Sequence, residues 1–150
     1  MQNVRAGGGL DSSPGTAELS EIGSLRCAQL LGTKTIGRIS WAAADGPLIL
    51  PVTYSWGHQV ITFRTSPYSV LSELVRPCDA AFEVDDFDQH AQTGWSVLVL
   101  GRAGPAFQPA MSCGLADTTS SLPWALSVRN LYIQIKAHRI TGRLVTGTQG

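Results

Sequence analysis

Net charge is the first thing this chain lacks: 11 Lys and Arg side chains balance 11 Asp and Glu over 150 residues, and the isoelectric point lies near 6.8. A surface that wraps nucleic acid needs a surplus of cations, because association draws on the counterions released as phosphates are neutralised. Nucleic acid is therefore excluded as an expected partner. Long hydrophobic runs are also absent. Stretches such as Leu48–Val52 and Val97–Leu100 fall far short of the roughly 20 residues a membrane-crossing helix requires.

Cysteine is scarce. Cys27, Cys78 and Cys113 are odd in number and widely spaced, which excludes both a disulfide framework and a Cys-x-x-Cys knuckle. All three are expected to be reduced and structural. The opening Met1-Gln2-Asn3-Val4-Arg5-Ala6 followed by glycines has no apolar h-region, so a cytoplasmic location is expected.

Familiar chemical motifs are missing as well. There is no Gly-x-Gly-x-x-Gly and no Gly-x-Ser-x-Gly, and Gly32-Thr33-Lys34-Thr35 is only the end of a P-loop without its earlier glycine. Asp85, Asp86, Asp88 and His90 form the densest set of metal-ligating types, but no helical or hairpin spacing converges them. They read as a solvated loop, His58 and His138 lie elsewhere, and no metal is expected.

What is present is a chain 43% hydrophobic, long enough for one domain with a real core. Residues 1–17, rich in Gly and Ser, are expected to be a flexible tail, 18–146 the domain, and 147–150 a flexible end. Ser20 is placed to cap a helix carrying Ile22, Leu25, Ala28 and Leu31, with Gly32 ending it. Strands follow from Thr35 to Trp41, from Leu48 to Trp56 after the hairpin signal Asp45-Gly46, and from Val60 to Thr65 after Gly57-His58.

Pro67 and Pro77 bracket a short helix through Val70, Leu71, Leu74 and Val75. Ala80–Val84 reads as a fourth strand, Asp85–Gly94 as a loop, Trp95–Phe107 as a fifth strand with Gly101 and Gly104 marking a bulge or bend, and Leu131–Lys136 as the last. Residues 108–127 show no pattern. The fold expected is mainly β with a few helices: a six-stranded antiparallel barrel, closed to remove exposed edges.

Chemistry concentrates at Phe63-Arg64-Thr65 followed by Ser69. A strand delivers a cation and a hydroxyl to a helix start, an arrangement suited to an anion such as phosphate. The structural alternative is that Arg64 is a surface strand residue and Ser69 an ordinary cap.

Several stretches, in order, resemble the pyridoxamine 5′-phosphate oxidase-like, FMN-binding split β-barrel family, in particular its short actinobacterial-type members. They are Ile36-Gly37-Arg38-Ile39-Ser40 with Asp45-Gly46-Pro47, then Leu50-Pro51-Val52-Thr53-Tyr54, then Phe63-Arg64-Thr65 with Ser69 and Leu71, and Gly94-Trp95-Ser96-Val97 with Gly101-Arg102-Ala103. Ile140-Thr141-Gly142-Arg143 resembles the family's C-terminal end, so the likeness runs from about Leu19 to Val145.

The resemblance implies a homodimer with FMN, or a deazaflavin instead, in a groove at the subunit interface, acting on a small organic substrate. It implies that Pro51, Val52 and Tyr54 flank the ring and that Arg64 and Thr65 bind ring edge, ribityl chain or phosphate. Ser69 would cap the phosphate, and Trp95 and Ser96, from the same or the other subunit, would complete the ring pocket. No catalytic residue is identified. The chain departs from the family at Tyr68-Ser69-Val70, where Gly-Ser-Lys is common; loss of the Lys–phosphate bond weakens binding by about ten- to a hundredfold. That departure favours a rival reading, a binding or dimerisation module without catalysis. A haem-binding relative of the barrel is a further alternative, but no His lies in the matched stretches.

Overall fold

The computed structural model describes residues 17–106 and 131–147. The expectations for residues 1–16, 108–127 and 148–150, and for Phe107 and Cys113, lie outside the described residues.

The described chain runs β1 (Glu18–Ile22), α1 (Ser24–Leu31), β2 (Ile36–Ala43), β3 (Gly46–Gly57), β4 (Val60–Thr65), a 3-10 helix (Val70–Val75), β5 (Cys78–Asp88), β6 (Thr93–Pro105) and β7 (Leu131–Thr146). All pairings are antiparallel. The strand order β1-β7-β4-β3-β2-β5-β6 closes on itself because β6 also pairs with β7, so β2 to β7 form a six-stranded ring and β1 lies outside it on β7. This is the split β-barrel expected of the sequence.

Period-two alternation fills the interior. Ile39 of β2, Tyr54 of β3, Ile61 and Phe63 of β4, Phe82 and Val84 of β5, Val97 and Val99 of β6 and Ile133 and Ile135 of β7 are buried. α1 adds Cys27, Leu30 and Leu31, and the 3-10 helix adds Leu71 and Leu74. Hairpin turns fall where the sequence signals them: Gly46 has φ 120°, and His58 and Gln59 have φ 51° and 63°. Both central residues of a type I′ turn take positive φ, and here neither is glycine.

Tyr54 ties the barrel to α1. Its phenol donates a 2.6 Å hydrogen bond to Leu31 O, and its ring meets Phe82 edge-on at 4.8 Å. Burial pushes its pKa from 10.0 up to about 12. The unfolded chain therefore loses this proton first as pH rises, and the stabilisation present below pH 10 is lost between about 10 and 12. Stability against urea is expected to fall through that window, and Tyr54→Phe, which has no proton to lose, should flatten the fall.

Four expectations are corrected. Ser20 does not cap α1: it lies in β1 opposite Leu144, and Gly23 is the cap residue, with no side-chain bond. β7 runs on to Thr146 and offers its edge to residues 18–22, so main-chain bonding prevails over the helical spacing. Leu25 is accordingly 76% exposed. The supposed loop from Asp85 is mostly strand, because β6 pairs with it from Asp85 opposite Ser96 to Asp88 opposite Thr93, and Arg38 and Lys34 lie against Asp85 and Asp86 at 2.8 and 2.6 Å. The last strand continues far beyond Lys136, through an irregularity opposite Leu100 and Gly101.

No described helix is long and apolar enough to cross a membrane. Cys27 and Cys78 are free thiols.

Candidate functional site

The barrel opens between β3 and β4. β3 is 12 residues long and pairs with β2 along Gly46–Thr53, but with β4 only along Tyr54–Gly57. No described strand covers the other edge of its first half. Tyr54 N donates to Thr35 O of the β2 side at 2.9 Å, so alternation turns the peptide groups of Pro47, Ile49, Pro51 and Thr53 toward the open edge. Proline has no N–H, and two prolines here guard the edge against pairing with another strand. What remains are the amides of Ile49 and Thr53 and a row of carbonyls.

Arg64 stands beside this opening. Phe63 and Thr65 are buried in the barrel at 0% and 6% exposure, so Arg64 between them points outward; it is half-buried and lies one residue past the last rung shared with β3. Pro51 is exposed on the same outer surface. Ser69 follows at the start of the 3-10 helix, but its hydroxyl accepts a 3.1 Å bond from Leu71 N and so acts as the cap. Its own O–H proton can still be donated. Val70 is 41% exposed and brings no charge.

Val52, Tyr54 and Thr65 are placed differently. Their side chains are buried in the barrel, where Tyr54 holds α1, and their main chain is what they would offer to a ring. Trp95 follows the same alternation as Val97 and packs, half-buried, against the core, whereas Ser96 faces outward opposite Asp85 and Arg143.

Barrel order then separates the outward residues. β3 and β6 are three strands apart in either direction around the ring, so Pro51 and Ser96 lie on opposite sides of one subunit. Within the chain Arg64 and Ser69 follow one another at the end of β4 and the turn after it, Pro51 lies on the half of β3 that β4 leaves unpaired, and Ser96 lies across the barrel from Pro51.

Sequence reading missed one neighbour of Arg64 and one exposed apolar residue on the β2 side of the opening. Tyr132 of β7 pairs with Arg64 directly, and Ile36 of β2, 63% exposed, lies across from Thr53. Alternation about Ile133 and Ile135 marks Tyr132 as outward. Which strand it would face has no local signal.

The acidic set resolves into structural work. Asp85 and Asp86 are ion-paired, and Asp88 accepts the amides of His90 and Ala91 at 2.9 and 3.0 Å to shape the turn. Among the described residues no group of three or more metal-ligating side chains converges.

Two hollows lie elsewhere. One of about 600 Å³ includes Trp41, Glu73, Arg76 and Cys78 in its wall, and one of about 350 Å³ includes Gln59, His138 and Arg139. None of the expected site residues lines either.

Residues 24–144 match the family model described as Pyridoxamine 5′-phosphate oxidase. An uncharacterized protein of Mycobacterium tuberculosis, Rv0080, is 29% identical over 137 residues, which cover 87% of this chain and 89% of that protein. Among solved structures, the FAD binding protein from Mycobacterium smegmatis superposes with a TM-score of 0.66 at 23% identity, over 85% of this chain and 98% of the other. A FAD-binding protein from Mesorhizobium loti gives a TM-score of 0.71 at 16% identity, over 87% and 99%. These two likenesses carry the fold, and the family match, which spans most of the chain, carries the assignment: the protein belongs to the pyridoxamine 5′-phosphate oxidase family.

Proposed function

We propose that the protein binds a flavin nucleotide, FMN or a deazaflavin in its place, in a groove between two copies of the chain, and transfers electrons to or from a small organic substrate. The observation that carries this reading is Arg64 standing at the unpaired edge of β3. Amides and carbonyls along that edge match the polar rim of a flavin ring, and the guanidinium beside them suits its negative charge when reduced. The fit rests on Pro51, Arg64 and Ser69 of one subunit.

Flavin supplies the redox chemistry when bound, which leaves the protein to position it and tune its charge. That division of labour accounts for a site without an acid–base pair. The relatives described as FAD-binding support a flavin of some kind. A homodimer fits the resemblance: within one chain Ser96 lies opposite Arg143, at the other end of β7 from the Tyr132 that faces Arg64, so a ligand touching both Arg64 and Ser96 would take Ser96 from a second copy.

The second reading is a barrel of the same family that binds or dimerises without catalysis. Val70, exposed at the position where the resemblance places a phosphate-pairing Lys, favours it. The two readings separate on whether FMN or a deazaflavin is retained by a species of twice the 16.0 kDa chain mass.

A further inference from the structure

β7 enters the sheet at Leu131, and its second residue, Tyr132, lies directly across from Arg64. Both face outward and both are half-buried, since their neighbours Ile133 and Phe63 are fully buried in the barrel. Main-chain bonds fix how closely they approach. Ala137 N donates to Gln59 O at 2.9 Å, which sets Gln59–Ala137 as a hydrogen-bonded rung and, by alternation, Ile61–Ile135, Phe63–Ile133 and Thr65–Leu131 as well.

Ala106 N donates to Tyr132 O at 2.9 Å, so the peptide groups of Tyr132 turn away from β4, in agreement with that pattern. Arg64 and Tyr132 therefore share a non-hydrogen-bonded rung. In such rungs opposed Cα atoms come to about 4.5 Å and the side chains lie nearest each other.

A phenol ring this close to a guanidinium makes a flat aromatic wall with a cation at its edge. A bare phosphate would gain one further donor from that wall and leave its face unused. A planar ring system whose edge gathers negative charge on reduction would use both parts. Ser69, by contrast, offers a hydroxyl without an aromatic surface, on the far side of Thr65.

We propose that Tyr132 is a cofactor-contacting residue of the Arg64 site, and that the part of the flavin held at this rung is its ring system and not its phosphate. The proposal rests on the flavin reading above. It settles what Arg64 does there: the guanidinium acts on the charge of the ring, Tyr132 covers part of the ring face, and the phosphate is held elsewhere.

The test is the fluorescence lifetime of FMN bound to the full chain, compared among the wild type, Tyr132→Phe and Tyr132→Trp. An aromatic side chain against the ring gives one electron to the photoexcited flavin and takes it back, so quenching follows how easily that side chain is oxidised and leaves no net change. The bound flavin should live several-fold longer in Tyr132→Phe and shorter in Tyr132→Trp, with thermal unfolding of the variants unchanged. A purely structural tyrosine would not produce this order. Equal lifetimes in all three proteins, with FMN bound, would overturn the role of Tyr132 and leave the flavin reading standing. A wild-type protein that retains neither FMN nor a deazaflavin would overturn both.

Discussion

Phe82→Ala is expected to lower the unfolding free energy by about 3–5 kcal/mol, the usual range for truncating a buried phenylalanine. Phe82 is 0% exposed, and its ring occupies the space that Gly37 leaves open: a Cβ on Gly37 would fall inside that ring. It also supports the Tyr54 ring at 4.8 Å, and through Tyr54 the seat of α1. Truncation therefore empties a cavity and loosens a helix anchor at once. Against a total of about 5–15 kcal/mol for a typical domain, that is a large share.

The converse substitution tests the same packing. Gly37→Ala should cost about 1–3 kcal/mol by overfilling the space. Combined with Phe82→Leu, its cost should shrink, because the two residues share one volume. Urea midpoints of the single and double variants check this, and strictly additive losses would show that Gly37 and Phe82 do not compete for space.

Arg64→Ala should weaken FMN binding by about ten- to a hundredfold, the equivalent of one charge-assisted hydrogen bond of about 1.5–3 kcal/mol. The fold should survive, since Arg64 lies on the outer face of β4 and the residues that fill the core around it are Phe63 and Thr65. Arg64→Lys should fall between, because an ammonium keeps the charge and loses the planar fork. Calorimetric titration with FMN reads both. Unchanged affinity in Arg64→Ala would move the site away from the open edge of β3.

The parts of the fold that were legible in the sequence are those fixed locally. Asp45-Gly46 and Gly57-His58 bound β3, and Pro67 and Pro77 bracket the 3-10 helix, because turns and breaks are written in a few adjacent residues. β1 was not legible. Glu18-Leu19-Ser20-Glu21 is exposed at every position, so no alternation marks it, and it is a strand only because residues 142–146 supply a partner. The acidic run from Asp85 looked like a loop for a similar reason: its counter-charges, Arg38 and Lys34, are 47 and 52 residues away.

The site was half legible. Contiguous motifs name Pro51-Val52-Thr53-Tyr54 and Phe63-Arg64-Thr65 together, but strand alternation sends Val52, Tyr54 and Thr65 inward and Arg64 and Pro51 outward. Motif resemblance identified the strands, and side-chain direction divided the roles. Tyr132 escaped because its importance comes from register with β4 across a long stretch of chain, which no short pattern encodes.

Sedimentation velocity of the protein mixed with FMN, followed at once in the protein band and in the flavin band, bears most directly on the central claim. The account predicts that flavin absorbance moves with a single boundary of twice the 16.0 kDa chain mass. A monomer at micromolar concentration would separate Ser96 from the Arg64 site, and a dimer that sediments without FMN and, in a parallel run, without a deazaflavin would contradict cofactor binding and leave the non-catalytic barrel.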